Sequence, residues 1–172
     1  VAYGVNPSLV LARYTDGGHF SPHTDGYTIV DFNHRSLYSL LVYLNDCEEG
    51  GATRLFSPVD CGEQFHVDRG GRFRWRDALV QSSCPCRTGT CLGFYQNIPH
   101  EGEPVPVGSA KYIIRTDVMY RRKHPICCTP KDVEAYALFR EAEMLEGDGD
   151  AEQAAKLFRK SLKMSPDLAK IT

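Results

Sequence analysis

His23, Asp25 and His100 are the residues of this chain whose types and spacing offer chemistry at a metal ion. His23-Thr24-Asp25 closes the stretch Arg13-Tyr-Thr-Asp-Gly-Gly-His-Phe-Ser-Pro-His-Thr-Asp-Gly26. Read as a strand over 19–25, the segment alternates its side chains with period two and sends His23 and Asp25 to the same face. One imidazole and one carboxylate then address a single point. A second imidazole arriving from elsewhere would complete a facial set of two histidines and one carboxylate, a ligand set that suits non-haem Fe(II) and leaves coordination positions open. His100, 75 residues beyond Asp25, is the candidate. A His-x-Asp pair alone is a weak signal, because a strand histidine more often serves packing than coordination.

The elements that must position these residues are short and β-like. Alternation and turn residues predict strands over 9–14, 36–45, 52–56, 90–96 and 111–120, besides 19–25, with 36–45 as a buried central strand. Residues 26–35 read as a polar loop. Residues 57–89 read as an irregular excursion with one strand near 78–82. About eight short strands without intervening helices point to a β-sandwich or jelly roll. The period changes at Thr129-Pro130, and 132–146 and 151–164 read as amphipathic helices broken by Gly147-Asp-Gly-Asp150.

Composition bounds the function classes. The 172 residues are 42% hydrophobic and 24% charged, with a net charge of −2 and a pI near 6.3. That balance makes no electrostatic case for nucleic acid or an anionic membrane. No apolar run approaches the roughly 20 residues a membrane-spanning helix needs. The odd number of cysteines, seven, does not suggest a disulfide framework and favours a reducing, cytoplasmic or nuclear compartment. The start at Val1 and the end inside a helical tail are expected of a piece of a longer protein.

Four blocks in order carry a resemblance. They are Arg13-Tyr-x-x-Gly-Gly-x-Phe-x-Pro-His-x-Asp-Gly26; Leu41-Val-Tyr-Leu-Asn-Asp46 with Glu49-Gly-Gly-Ala-Thr-Arg-Leu-Phe56; Gly89-x-Cys-Leu-x-Phe94 before His100 to Gly108; and Lys111-Tyr-Ile-Ile-Arg-Thr-Asp-Val-Met-Tyr120. Over residues 6–121 the chain resembles the prolyl 4-hydroxylase-like branch of the Fe(II)- and 2-oxoglutarate-dependent dioxygenases. The resemblance implies a mainly β fold: a double-stranded β-helix (jelly roll) over 1–124, followed by a helical hairpin over 130–172. It implies His23, Asp25 and His100 as iron ligands and Lys111 as the cation facing the distal carboxylate of 2-oxoglutarate. Arg115 shares the strand face of Lys111, and its planar fork makes it the rival for that carboxylate. Tyr14 is either a hydrogen-bond donor to the cosubstrate or an ordinary strand aromatic. Thr53 is placed to face the barrel interior.

By the same resemblance the activity is hydroxylation of an unactivated C–H bond in a protein or peptide residue such as proline. Oxygen is consumed, succinate and carbon dioxide are released, and ascorbate serves as reductant. Tyr27 and Phe32 are aromatics that could pack a proline ring. The alternative is a silent barrel that acts as an adaptor through its tail. That tail resembles one tetratricopeptide repeat, with Leu138, Ala142, Leu145, Gly149, Ala154, Phe158 and Pro166 near the repeat's positions, and offers a surface for a protein partner. A zinc site from Cys84, Cys86 and Cys91 with His66 or Cys61 has the wrong spacing for the common two-pair ribbon. Cys91 is expected to face the core.

Overall fold

The protein is described here by a computed structural model covering residues 1–57 and 65–170. The chain divides into two compact units, one of residues 2–28 and 36–120, the other of residues 29–35 and 121 onward together with Val1.

The first unit carries two sheets and a ribbon. Its strands are β1 (Ala2–Val5), β2 (Val10–Thr15), β3 (Phe20–His23), β4 (His34–Tyr43), β5 (Thr53–Phe56), β6 (Phe65–Val67), β7 (Phe73–Trp75), β8 (Val80–Cys84), β9 (Cys91–Tyr95), β10 (His100–Gly102) and β11 (Ala110–Arg121). One sheet runs β1-β11-β4-β9, and β2 also pairs with β11. The other runs β3-β10-β5-β8, each pair antiparallel, while β6 and β7 form a separate two-stranded ribbon. Strand neighbours come from distant parts of the sequence, as a jelly roll requires. The central position of β4, between β11 and β9, matches the apolar run expected there.

Alternation builds the core. Leu41 and Tyr43 on β4, Phe94 on β9 and Ile113 on β11 face inward and pack with Cys47, Cys86 and Val105. Burying side chains of this size contributes about 1.5–3 kcal/mol each. Gly50 and Gly51 both sit at positive φ, 66° and 67°. A Cβ at Gly50 would run into the Pro104 carbonyl, and one at Gly51 would press on Cys47 Sγ at 3.2 Å, so the turn before β5 closes only with glycine.

Several expectations change. The strand expected over 19–25 ends at His23. Within the excursion lie β6, β7 and a 3-10 turn at Asp77–Leu79, and the strand near 78–82 is β8, two residues later. Cys91 is exposed: inward parity on β9 belongs to Leu92 and Phe94, which forces Cys91 outward. Cys86 is buried and its thiol donates to the Asn45 carbonyl at 3.3 Å. Cys61 lies outside the described residues, and among these the cysteines group with no third metal-ligating side chain.

The second unit is a helical hairpin, α1 (Pro130–Gly147) and α2 (Ala151–Met164). Thr129 caps α1 reciprocally with Asp132: Asp132 N donates to Thr129 Oγ1 at 3.2 Å, and Thr129 N donates to the Asp132 carboxylate at 3.0 Å. Asp150 caps α2 through Gln153 N, and Phe139 meets Phe158 edge-on at 4.9 Å. Phe32 packs on Tyr136 in this unit, with ring centroids 4.3 Å apart, so it is not a free aromatic. No described helix is long and apolar enough to cross a membrane.

Candidate metal centre

Two strands, β3 with its immediate continuation and β10, deliver the three ligand side chains. His23 ends β3, His100 begins β10, and these residues are direct antiparallel partners. Asp25 follows β3 in irregular chain, where its amide donates to the Gln96 carbonyl at 2.8 Å. The convergence expected from strand alternation is therefore achieved differently: a backbone bond to the end of β9 places the carboxylate. One ligand atom from each of the three residues lies within 4.8 Å of the others. His23 Nε2 is 3.5 Å from Asp25 Oδ1, and His100 Nε2 is 3.7 Å from Asp25 Oδ2.

Both imidazoles are oriented through their other nitrogen. His23 Nδ1 lies 2.8 Å from the Ser21 carbonyl and His100 Nδ1 lies 2.9 Å from the Ile98 carbonyl. A carbonyl can only accept, so each Nδ1 carries the proton and each Nε2 keeps its lone pair toward the centre. The rings are further held between Phe20 and Phe94, with His23 against Phe20 at 4.1 Å and His100 against Phe94 at 4.5 Å. Burial lowers the pKa of His100, outweighing the bond to Ile98, and this keeps it in the neutral form a metal requires. Burial would raise the Asp25 carboxyl, but its polar surroundings, with the Ser39 hydroxyl donating to it and the Arg115 guanidinium beside it, outweigh burial and hold the pKa at about 2. The Ser39 hydroxyl donates to Asp25 Oδ2 and occupies one of its lone pairs.

Lys111 and Arg115 line the same cavity as His23 and His100, together with Tyr14 and Thr53. Lys111 is only 3% exposed. Its Nζ stands 5.3 Å from the Tyr43 ring centre and 5.6 Å from that of Tyr14, and no described carboxylate is within 4.0 Å. Aromatic faces compensate a buried ammonium only in part, and desolvation accordingly lowers its pKa. Arg115 has a side chain 44% exposed and reaches Asp25 Oδ1 at 3.5 Å. Thr53 is buried and accepts a hydrogen bond from the Tyr43 hydroxyl at 2.7 Å. Burial also raises the Tyr14 pKa, opposed by Arg115, so its hydroxyl keeps its proton.

Sequence reasoning passed over Ser39, Gln96 and Tyr43, and it did not foresee that Tyr14 would flank the Lys111 ammonium. Gln96 had a signal only in hindsight: it is polar, ends a strand and is fully buried, with its Nε2 donating to Asp117 at 3.0 Å.

No curated protein matches the chain. Among solved structures it is similar to a prolyl-4-hydroxylase from Pseudomonas putida, at 20% identity over 66% of this chain and 52% of that one, with a TM-score of 0.42. A viral collagen prolyl hydroxylase from Paramecium bursaria Chlorella virus-1, solved with 2OG, matches at 21% identity over 67% of this chain and 59% of its own, with a TM-score of 0.40. A prolyl 4-hydroxylase from Phytophthora capsici matches at 18% identity over 94% and 53%, with a TM-score of 0.43. The chain thus spans between about half and three-fifths of the length of these proteins. At such scores the likenesses carry no argument about the site. The decisive comparison is with a family model that matches residues 9–116, more than half of the chain and both histidines, Asp25 and Lys111 among them. The chain belongs to the 2OG-Fe(II) oxygenase superfamily.

Proposed function

We propose that this chain is the core of an Fe(II)- and 2-oxoglutarate-dependent dioxygenase that hydroxylates an unactivated C–H bond in a protein or peptide residue, proline foremost, and releases succinate and carbon dioxide. One observation carries the reading: His23 and His100 of the ligand cluster share a single cavity with Lys111, a buried ammonium that has no described carboxylate within 4.0 Å. The donor set fits Fe(II), with two neutral imidazoles and one ionised carboxylate on one side of the ion and room for further ligands. Lys111 fits a dicarboxylate, because a carboxylate is the partner that removes its desolvation penalty.

His23, Asp25 and His100 would hold the iron, which, when bound, supplies oxygen activation driven by oxidation of the cosubstrate. Lys111 would fix the distal carboxylate and thereby orient the cosubstrate toward the metal, and the Tyr14 hydroxyl is placed to donate to it. Ser39 and Arg115 restrain Asp25, so one of its oxygens stays directed at the ion. The Tyr43 ring faces the ammonium, and Leu41 and Ile113 give the cavity an apolar wall. Phe20, 43% exposed against His23, offers apolar surface beside the reacting centre. Proline as substrate and ascorbate as reductant rest on the sequence resemblance, as does a partner-binding role for the helical hairpin.

The test is an anaerobic titration with Fe(II) and 2-oxoglutarate, followed through the visible metal-to-ligand charge-transfer band, with circular dichroism as the check on folding. A band in the wild type that is lost in a folded His23→Ala variant is expected. A folded wild type that gives no band would sink the enzyme reading and favour the adaptor.

A further inference from the structure

We propose that Glu101 is a positioning residue for His100, acting from the opposite face of β10. The inference rests on the reading that His23, Asp25 and His100 hold the iron.

β10 has three residues, so successive side chains leave on opposite faces: His100 enters the cavity and Glu101 points to the far side of the sheet. Glu101 is fully buried there. Its Oε1 accepts from Arg54 Nε at 2.8 Å and from Arg74 Nε and Nη2 at 2.9 and 2.6 Å, and its Oε2 accepts from the Trp75 amide at 3.0 Å. Arg54 comes from β5, while Arg74 and Trp75 come from β7. The guanidinium of Arg54 also bonds the Trp75 carbonyl at 3.2 Å and Asp77 at 2.6 Å. One carboxylate therefore joins β10 to a neighbouring strand and to the β6–β7 ribbon.

Stability alone does not account for such a cluster. Buried ion pairs give little net stabilisation, and apolar residues of the same volume usually do as well or better. What charge-assisted bonds of fixed geometry supply is direction. On the β3 side the backbone supplies little of it, while on the other edge β10 keeps a continuous register with β5 from His100 to Gly102. Between His100 and Gly102 the register with β3 slips, from His23 to Phe20, so three steps on β3 oppose two on β10. Pro22 falls inside that irregularity and has no amide hydrogen to donate. The ladder between the two histidine-bearing strands is thus interrupted immediately beside the ligands. Glu101, locked from behind, joins the β5 ladder in setting the angle of β10 on the side where the ladder to β3 is interrupted.

The test compares wild type, Glu101→Gln and Arg74→Met in two measurements. Fe(II) affinity is titrated anaerobically, at a temperature where circular dichroism shows each protein folded. Glu101→Gln is expected to bind Fe(II) on the order of ten-fold more weakly, the usual scale for loss of an outer support. Arg74→Met keeps the Arg54 and Trp75 bonds, should lose less, and serves if the glutamine variant does not fold. Amide hydrogen exchange on the metal-free proteins is the second measurement. Protection should fall at residues 100–102 and 20–23 while the β4–β9 pair is unchanged. Unaltered iron affinity in a folded Glu101→Gln protein, or protection lost equally in both sheets, would overturn the proposal. If the wild type itself fails to bind Fe(II), the functional reading falls, and the exchange data still decide whether Glu101 fixes β10.

Discussion

Lys111 and Arg115 stand four residues apart on one face of β11 and line one cavity, yet their surroundings differ in kind. Lys111 is enclosed, with two tyrosine rings for company and no described carboxylate in ion-pair range. Arg115 is partly solvated and already engaged with Asp25. A cation whose countercharge is present tunes what it touches. A buried cation without one is costly to the empty protein, and that cost is recovered only when an anion enters. The comparison separates two roles that strand parity alone cannot separate.

The largest expected effect comes from removing the unpaired charge. Lys111→Met should weaken 2-oxoglutarate binding by about 2–5 kcal/mol, roughly thirty-fold to several-thousand-fold in Kd, while leaving Fe(II) binding intact. Titrating each ligand separately checks this. Equal loss of both would show that Lys111 supports the metal ligands instead.

The same variant makes a prediction about pH. Burial lowers the folded-state pKa of Lys111 below its ordinary 10.5, so the unfolded chain holds that proton more tightly. Its penalty is therefore complete below the lowered pKa and fades as pH rises toward 10.5, which makes the metal-free wild type gain stability over that interval. Lys111→Met should be the more stable protein at neutral pH and lack this gain. Urea midpoints measured across alkaline pH read the difference, and parallel profiles would mean that Lys111 is paired or solvated.

Arg115→Gln should have the smallest effect. A half-exposed ion pair contributes about 0.2–1 kcal/mol, so Fe(II) affinity should change by no more than about five-fold. A loss of 2-oxoglutarate binding larger than that of Lys111→Met would reverse the two assignments.

Much of this was legible in the residues. His23, Asp25 and His100 stand out by type and spacing, Lys111 through the resemblance and Arg115 by sharing its strand face; the three ligand side chains converge, and His23, His100, Lys111 and Arg115 line one cavity. The long strands β4 and β11 showed because ten or more residues display a period. β6, β7 and β10, with three residues each, are shorter than any window in which alternation can be measured. Asp25 illustrates a subtler failure. Alternation reached the right convergence through a strand that ends two residues early, while the placing force is an amide bond to Gln96, remote in sequence. Cys91 went the wrong way because parity on β9 depends on which residue takes the inner position, and Phe94 takes it. Glu101 follows the distal histidine directly, but a lone glutamate in a sequence cannot announce that two arginines and an amide 26 to 47 residues away will surround it.

The brevity of β10 also governs how this gene segment can vary. Its two faces hold incompatible cargo, an imidazole bound for the cavity and a carboxylate bound for the arginines. Inserting or deleting one codon there would exchange them, since every side chain on a strand changes face with a shift of one. The glutamate would then enter the cavity and the histidine would meet two guanidinium groups. Length drift at residues 100–102 is thus closed to this protein.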